Sequence, residues 1–318
     1  MESPLVTVGV VSYNAEIFIE DTLTSVYNQT YKNIELILSD DHSSDNTVEV
    51  AKKWFENHKD RFVRTLLITS DINTGVSANG NRAIFQAKGE WYKSLDGDDM
   101  LTPTAIEDYV RFVNSKVDIS FAFGLLSVFK DTFDPNKLEM HKPSFYNFLY
   151  KEDTTAKQQY NVLIKHFAAS GTTGFYRLNV LRDELGGYDE RFPLLEDHPL
   201  LIRLTKNGHK LWLLDKVTLY YRISSNSITN TLSSNDQILS NHEVRQVIDY
   251  KYTYFFENYG LLWNIFLRYT MFMQKRIYYS GNSNKIFACR LYKEILHVTN
   301  PYTWHRFFIN TYYRFFTK

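Results

Sequence analysis

Glu90-Trp91-Tyr92-Lys93-Ser94-Leu95-Asp96-Gly97-Asp98-Asp99 runs a strand-like segment straight into three carboxylates within four positions. Like charges this close repel unless something positive sits among them, and a divalent cation is the usual answer. Asp96 and Asp98 are two residues apart, and Gly97 between them lets the backbone bend so that both face one point. Hard oxygen donors suit Mg²⁺ or Mn²⁺, which keep coordination positions open for substrate phosphates. An Asp-Gly-Asp-Asp stretch taken alone is also what a solvated acidic turn looks like. What precedes it in the chain decides between the two.

Upstream, Leu5 to Val11 is a nearly continuous apolar, β-branched run, the pattern of a strand buried on both faces, and it stops at Ser12-Tyr13-Asn14. Ile19, Leu23, Val26 and Tyr27 then fall on one helical face. A second apolar run, Ile34 to Leu38, stops at Ser39-Asp40-Asp41-His42-Ser43-Ser44-Asp45. Asp45 is the expected N-cap of a helix carrying Val48, Ala51 and Phe55. A third strand, Thr65 to Thr69, closes at Ser70-Asp71-Ile72-Asn73-Thr74-Gly75, and a helix with Val76, Ala83, Ile84 and Ala87 leads into the acidic stretch. Strands alternating with helices predict βαβ units and a mostly parallel sheet, whose right-handed crossovers bring the carboxyl ends of successive strands to one edge. Ligands bind such sheets beyond those ends. Here the ends carry Ser12 and Asn14, Asp40 and Asp41, Asp71 and Asn73, and Asp96 and Asp98. Four polar ends converging on an acidic turn predict a site for a metal-bound, phosphorylated ligand.

Downstream the pattern is mixed. Pro103 is expected in the first turn of a helix running through Val110 and Val113. Phe121 to Phe129 reads as a strand, Thr132 to Thr155 as an irregular connection, and Ala168 to Tyr176 as a small, Gly-bearing loop entering a strand. Gly186-Gly187-Tyr188-Asp189-Glu190 is a turn. Leu194-Leu195-Glu196-Asp197-His198 opens a helix with Leu200, Leu201 and Leu204. An aspartate at that position is stabilised as an anion by the helix dipole, whether it serves as a cap or as a base. Trp212 to Ile223 is the last strand, followed by Ser224-Ser225-Asn226-Ser227.

The 318 residues carry zero formal net charge, but unevenly. Asn264 to Lys318 holds nine Lys/Arg against the single acid Glu294, a net +8, which leaves 27 basic and 35 acidic residues, −8, in the remainder. Leu262, Ile265, Phe266, Tyr269 and Met273 mark one helical face in this segment. Its end, Trp304-His305-Arg306-Phe307-Phe308 … Tyr312-Tyr313-Arg314-Phe315-Phe316, interleaves rings with cations. That composition suits an anionic lipid interface, and packing onto the protein's own body or a second copy is the alternative. The acidic remainder argues against nucleic acid as a partner. The one cysteine, Cys289, excludes an internal disulfide. No run of about 18 apolar residues is present to span a bilayer, and no signal peptide is evident. The expectation is a cytoplasmic protein, peripheral at the inner face of the membrane.

Taken together, Val11-Ser12-Tyr13-Asn14, Asp40-Asp41-His42-Ser43-Ser44-Asp45, Asn73-Thr74-Gly75-Val76-Ser77, Leu95-Asp96-Gly97-Asp98-Asp99 and Glu196-Asp197 resemble the family-two glycosyltransferases of the GT-A fold, over about residues 5 to 230. The resemblance implies an α/β architecture with a Rossmann-like, mostly parallel sheet flanked by helices. The GT-A domain is expected over 1–235, with a nucleotide-binding half at 1–100 and an acceptor-binding half at 101–235. A C-terminal helical extension is expected at 236–318.

It further implies transfer of a sugar from a nucleotide-sugar donor to a saccharide or lipid-linked acceptor, in polysaccharide biosynthesis. Ser12, Asn14, Asp40, Asp41, Asn73, Gly75, Asp96 and Arg222 would hold the donor, with Asp41 at the base and Arg222 near the phosphates. Asp98 with Asp96 would hold Mn²⁺ or Mg²⁺, and Asp197 would be the general base of an inverting reaction. The chain departs from the family pattern after Gly75-Val76-Ser77, where relatives often read Ala-Arg-Asn and this chain reads Ala78-Asn79-Gly80-Asn81, so that Arg82 is displaced; at His42, where Gly is common; and at Ser224, where His often follows Tyr-Arg. The Gln-x-x-Arg-Trp motif of processive members is absent, which implies one or very few sugars per acceptor. The competing classes are a nucleotidyltransferase, whose Gly-rich basic loop is missing after the first strand, and a catalytically inactive sugar-nucleotide-binding protein.

Overall fold

Val6–Ser12 forms β1, with every residue buried, and is flanked in parallel by Ile34–Asp40 on one side and Trp91–Asp96 on the other. The computed structural model describes residues 3–141, 150–164 and 171–223, and position 268. Along the chain come α1 (Ile19–Tyr27), β2 (Ile34–Asp40), α2 (Thr47–His58), β3 (Arg64–Thr69), α3 (Val76–Gln86) and β4 (Trp91–Asp96). The short β5 (Met100–Leu101), α4 (Ala105–Asn114), β6 (Phe121–Lys130), β7 (Glu139–His141) and α5 (Ala156–Leu163) follow, then β8 (Gly174–Arg177), α6 (Asp197–Lys206) and β9 (Trp212–Ile223). These elements lie in one compact unit spanning 1–143 and 152–225. Apart from position 268, the expected C-terminal helices at 236–318 fall outside the described residues, as do the Ala168–Ser170 part of the small-residue loop and Ser224 to Ser227.

Among the described residues the sheet order is β3-β2-β1-β4-β8-β6-β9-β5, with β7 beside β6. The first four strands are parallel, and β8 runs antiparallel between β4 and β6. Parallel pairing returns at β6–β9, and β5 closes the edge antiparallel to β9. The polar strand ends do converge: Ser12 is in register with Asp40, Asp40 with Thr69, and Val11 with Asp96. Trp91 on β4 stacks on Phe175 of β8 at 5.0 Å, and Phe175 stacks on Tyr109 of α4 at 4.8 Å. This fixes the strand carrying the acidic turn to the second half of the sheet. Among the described residues no helix is long and apolar enough to cross a membrane.

Several local expectations are corrected. Pro103 lies ahead of α4 rather than in its first turn, because Met100–Leu101 pairs with β9 and delays the helix to Ala105. On α2 the buried face is Thr47, Ala51, Trp54 and Phe55, and Val48 is only half-buried. Asp45 acts one residue ahead of the helix boundary, accepting the Thr47 amide at 3.0 Å and the Glu16 amide at 3.1 Å. On α3 the buried face is mostly polar, with Ser77, Asn79, Gly80 and Asn81 beside Ala83 and Ile84. These residues bind a loop, not an apolar core: Asn81 Nδ2 donates to the Tyr188 carbonyl at 3.0 Å, and Ser77 Oγ donates to the Phe192 carbonyl at 2.7 Å. Within the Thr132–Thr155 connection, Glu139–His141 pairs with β6.

Candidate active site

The ends of β1 and β2 are laced together by their own polar side chains. Ser12 Oγ donates to Asp40 Oδ2 at 2.8 Å, and Ser43 donates to the same carboxylate through its hydroxyl at 2.6 Å and its amide at 2.9 Å. Asn14 takes the left-handed conformation (φ 50°), so its Oδ1 can accept the Ser44 amide at 2.8 Å. His42 is also left-handed (φ 67°), which shows how a residue with a side chain occupies the position where relatives carry Gly.

Asp41 is buried and fully engaged. It accepts the Thr74 amide at 3.0 Å, the Thr74 hydroxyl and the Gly75 amide at 2.7 Å each, and a guanidinium nitrogen of Arg82 at 2.5 Å. Arg82 also donates to Thr74 Oγ1 at 2.8 Å and to Asn79 Oδ1 at 3.1 Å, while Asn79 Nδ2 donates to the Ser12 carbonyl at 3.2 Å. The displaced arginine therefore reaches the aspartate from three residues further along α3. At position 80 a Cβ would lie 2.6 Å from the Tyr188 ring, so a long side chain there has no room. Gly75 has φ 89° and ψ 164°, a region open essentially to glycine, and it packs against Pro193. Asn73 is exposed at the mouth of this loop.

The acidic turn follows β4. Asp96 and Asp98 are half-buried and Asp99 is completely buried. Gly97 is needed for close approach: a Cβ would lie 3.0 Å from the Val11 carbonyl and 3.1 Å from Ser12 Cβ. The chain does bend here, turning at Gly97 and Asp98 with the Asp99 amide donating to the Asp96 carbonyl at 3.1 Å, and Gly97 keeps a φ outside the left-handed region. Burial and the neighbouring Asp98 push the Asp96 carboxyl up to about 7, with Asp197 adding to the effect and Lys93 opposing it. Asp98 is raised by burial and Asp99 is raised well above the usual carboxylate range by burial, Asp98 and Asp96. Asp99 Oδ1 accepts the Arg222 amide at 2.9 Å, and its Oδ2 is a buried oxygen with no partner among the described residues.

Two internal cations sit against this charge. Lys93, completely buried on β4, donates from Nζ to the Thr172 carbonyl at 2.8 Å and to the Ser94 carbonyl. Burial lowers its pKa to about 8 against the pull of Asp96 and Asp99. Arg222, also buried, donates from Nε to the Asp98 carbonyl at 2.8 Å. A lysine inside a strand that is otherwise apolar, three residues ahead of the acids, was the available signal for Lys93. Nothing local marked Arg222 as facing the chain's own backbone.

Asp197 is the first residue of α6, and its Oδ1 accepts the His198 amide at 2.6 Å. Its charge is felt at Asp96 and at Glu196, whose carboxyl is raised to about 8 by burial, by Asp197 and by Asp96. The end of β4 and the start of α6, 101 residues apart in sequence, thus share one electrostatic site. Among the described residues no three His, Cys, Asp or Glu side chains converge as a ligand set for a metal.

A family model described as glycosyl transferase family 2 matches residues 7–182, more than half of the chain. The chain belongs to glycosyl transferase family 2. The matched span contains β1 to β4 and the acidic turn, and Asp197 and Arg222 lie beyond it. Among curated relatives, the transferase is 26% identical over 227 residues to the Escherichia coli UDP-Glc:alpha-D-GlcNAc-diphosphoundecaprenol beta-1,3-glucosyltransferase WfaP, covering 71% of this chain and 80% of that one. Residues 1–349 of Staphylococcus aureus TarS, solved with UDP-GlcNAc, superpose with a TM-score of 0.58 at 18% identity, over 80% of this chain and 67% of that one. The Pyrobaculum calidifontis mannosyltransferase PcManGT, solved with GDP-Man and Mn²⁺, gives a TM-score of 0.54 at 17% identity, over 100% and 89%. These likenesses identify the transferase as a GT-A fold.

Proposed function

We infer that the transferase moves one sugar, with inversion, from a nucleoside-diphosphate sugar to a saccharide or lipid-linked saccharide acceptor in polysaccharide biosynthesis, with a divalent cation at the acidic turn. The observation that carries this reading is the acidic turn at the end of β4, beside the end of β1 that Ser12 ties to Asp40, with the charge of Asp197 felt at Asp96. WfaP, whose name gives a diphosphoundecaprenol-linked acceptor, supports the lipid-linked class and a reaction at the cytosolic membrane face. The basic, aromatic segment from Asn264 onward supports a membrane-facing acceptor in the same sense.

Asp96 and Asp98 suit Mn²⁺ or Mg²⁺, because both are oxygen donors raised by burial, and the charge of Asp98 raises Asp96 further. Asp96 and Asp98 would hold the cation and would leave room on it for oxygens of the donor diphosphate. PcManGT, solved with GDP-Man and Mn²⁺, supports this choice. When bound, the cation offsets the negative charge of the departing nucleoside diphosphate. Ser12, Asn14, Asp40, Asp41, Asn73 and Gly75 form the nucleotide side, with Asp41 and Arg82 fixing the loop against which the base packs. Asp197 takes the proton of the acceptor hydroxyl, whose oxygen attacks the anomeric carbon as the bond to the diphosphate breaks.

The test is thermal stability against UDP-glucose, UDP-GlcNAc and GDP-mannose, with and without Mn²⁺, for wild type and Asp98→Asn. A donor at about a hundred times its dissociation constant adds roughly 2.7 kcal/mol, a rise of several degrees in Tm. The expected result is a Mn²⁺-dependent rise for one donor that Asp98→Asn loses. An undiminished rise in the variant overturns the cation assignment.

A further inference from the structure

Arg222 lies at the end of β9, in register with Phe129 of β6, and is 3% exposed. Its guanidinium carbon lies 4.6 Å from the centroid of the Phe18 ring and 4.7 Å from that of Phe129. Such contacts favour a desolvated cation. Its described polar contacts reach four other residues of the chain. The backbone amide donates to Asp99 Oδ1 at 2.9 Å, Nε to the Asp98 carbonyl at 2.8 Å, Nη2 to Asp21 Oδ2 on α1 at 3.0 Å, and Nη1 to the Asp131 carbonyl. One residue therefore ties the acidic turn to α1, to the end of β6 and to β9.

A turn carrying Asp96, Asp98 and Asp99 is pushed apart by its own charge, and a ligand carboxylate is effective only if its backbone is held. A planar guanidinium satisfied at three separate sites supplies that hold better than a point charge, because its donor directions are fixed. We propose that Arg222 is a positioning residue that, with Asp21, braces the Asp98–Asp99 turn in the orientation its carboxylates need, rather than a residue that contacts the donor phosphates. Arg222 acts through Asp98 and Asp99 and does not itself touch the substrate. Asp21, exposed on α1, is the outer anchor of the brace. The consequence for cation binding rests on Asp98 being a ligand, as proposed above. The brace itself does not.

Amide hydrogen exchange on the full chain, without added ligand, tests the brace directly in wild type, Asp21→Asn and Arg222→Lys. Asp21→Asn removes one contact at a side chain that is 56% exposed, so its folding is not at issue. Both variants are expected to exchange about fivefold faster in peptides covering residues 96–101, with those covering 34–40 unchanged. Wild-type exchange at 96–101 in both variants, or acceleration spread equally over 34–40, overturns the proposal. A second measurement follows stabilisation by UDP with and without Mn²⁺. The brace predicts that Arg222→Lys needs several-fold more Mn²⁺ but keeps the Mn²⁺-free response to UDP. Loss of the Mn²⁺-free response, with turn exchange unchanged, identifies a direct phosphate contact and overturns it. If wild type shows no Mn²⁺ response, the cation reading fails while the exchange result still decides the brace.

Discussion

The Asp41 carboxylate and the Arg82 guanidinium meet at 2.5 Å, joining the residue just beyond β2 to the middle of α3. The aspartate is 3% exposed and the arginine 24%, so the pair is shielded on its acidic side and open on the other. Together with the Thr74 and Gly75 amides it sets the shape of the loop between β3 and α3.

Removing the cation should therefore cost stability as well as ligand affinity. Arg82→Gln leaves Asp41 with its amide and hydroxyl partners but without its counter-charge, at a cost of about 2 kcal/mol. Chemical denaturation measures this, and a loss under about 0.5 kcal/mol would mean that the loop holds its shape without the arginine.

Gly75→Ala tests the same loop from its backbone. The φ of 89° and the 2.5 Å separation between an added Cβ and Pro193 Cβ leave no unstrained arrangement. About 1–3 kcal/mol of destabilisation is expected, with a fall of several degrees in Tm. An unchanged Tm would show that the loop shifts at no cost.

The acidic site gives a pH signature opposite to that of a protein stabilised by ion-paired carboxylates. Asp96 titrates at about 7 in the folded chain against an ordinary 3.8, and Glu196 at about 8 against 4.5. Between the ordinary and raised values the folded chain binds more protons than the unfolded one, so their contribution to stability falls as pH rises from about 4 to about 8. Lys93, at about 8 against 10.5, binds fewer protons when folded and acts only above that window, in the opposite direction. Without divalent cation, Tm should drop between pH 6 and pH 8, and millimolar Mn²⁺ should restore it at pH 8. A Tm that rises over this interval contradicts the assignment.

Asp197→Asn keeps the shape at the start of α6 and removes the proton acceptor. Turnover should fall by roughly 10²- to 10⁴-fold while the donor-induced rise in Tm is retained. Steady-state kinetics beside the thermal assay separate the two, and near-wild-type turnover would exclude Asp197 as the base.

The segment from Asn264 onward, with its net +8, should drive binding to anionic vesicles. A chain ending at about residue 260 is expected in the supernatant after co-sedimentation, with nucleotide binding kept. Equal sedimentation of both forms would place the membrane contact elsewhere.

The sequence by itself determined the β–α alternation through β4, the shared edge of its four parallel strands, and the polar residues at their ends. Each of those features is written in local periodicity: an apolar run marks a buried strand and an amphipathic repeat its crossover helix. The tertiary structure decided the antiparallel placement of β8 between β4 and β6, the polar buried face of α3, and the inward turn of Lys93 and Arg222. It also added close packing on Val11 and Ser12 to the bend as a reason for glycine at position 97. Partners such as Arg222 with Asp98, or Asn81 with Tyr188, lie more than 100 residues apart. Hydrogen bonds across such separations leave no periodic trace, because they depend on which strand ends the completed sheet brings together.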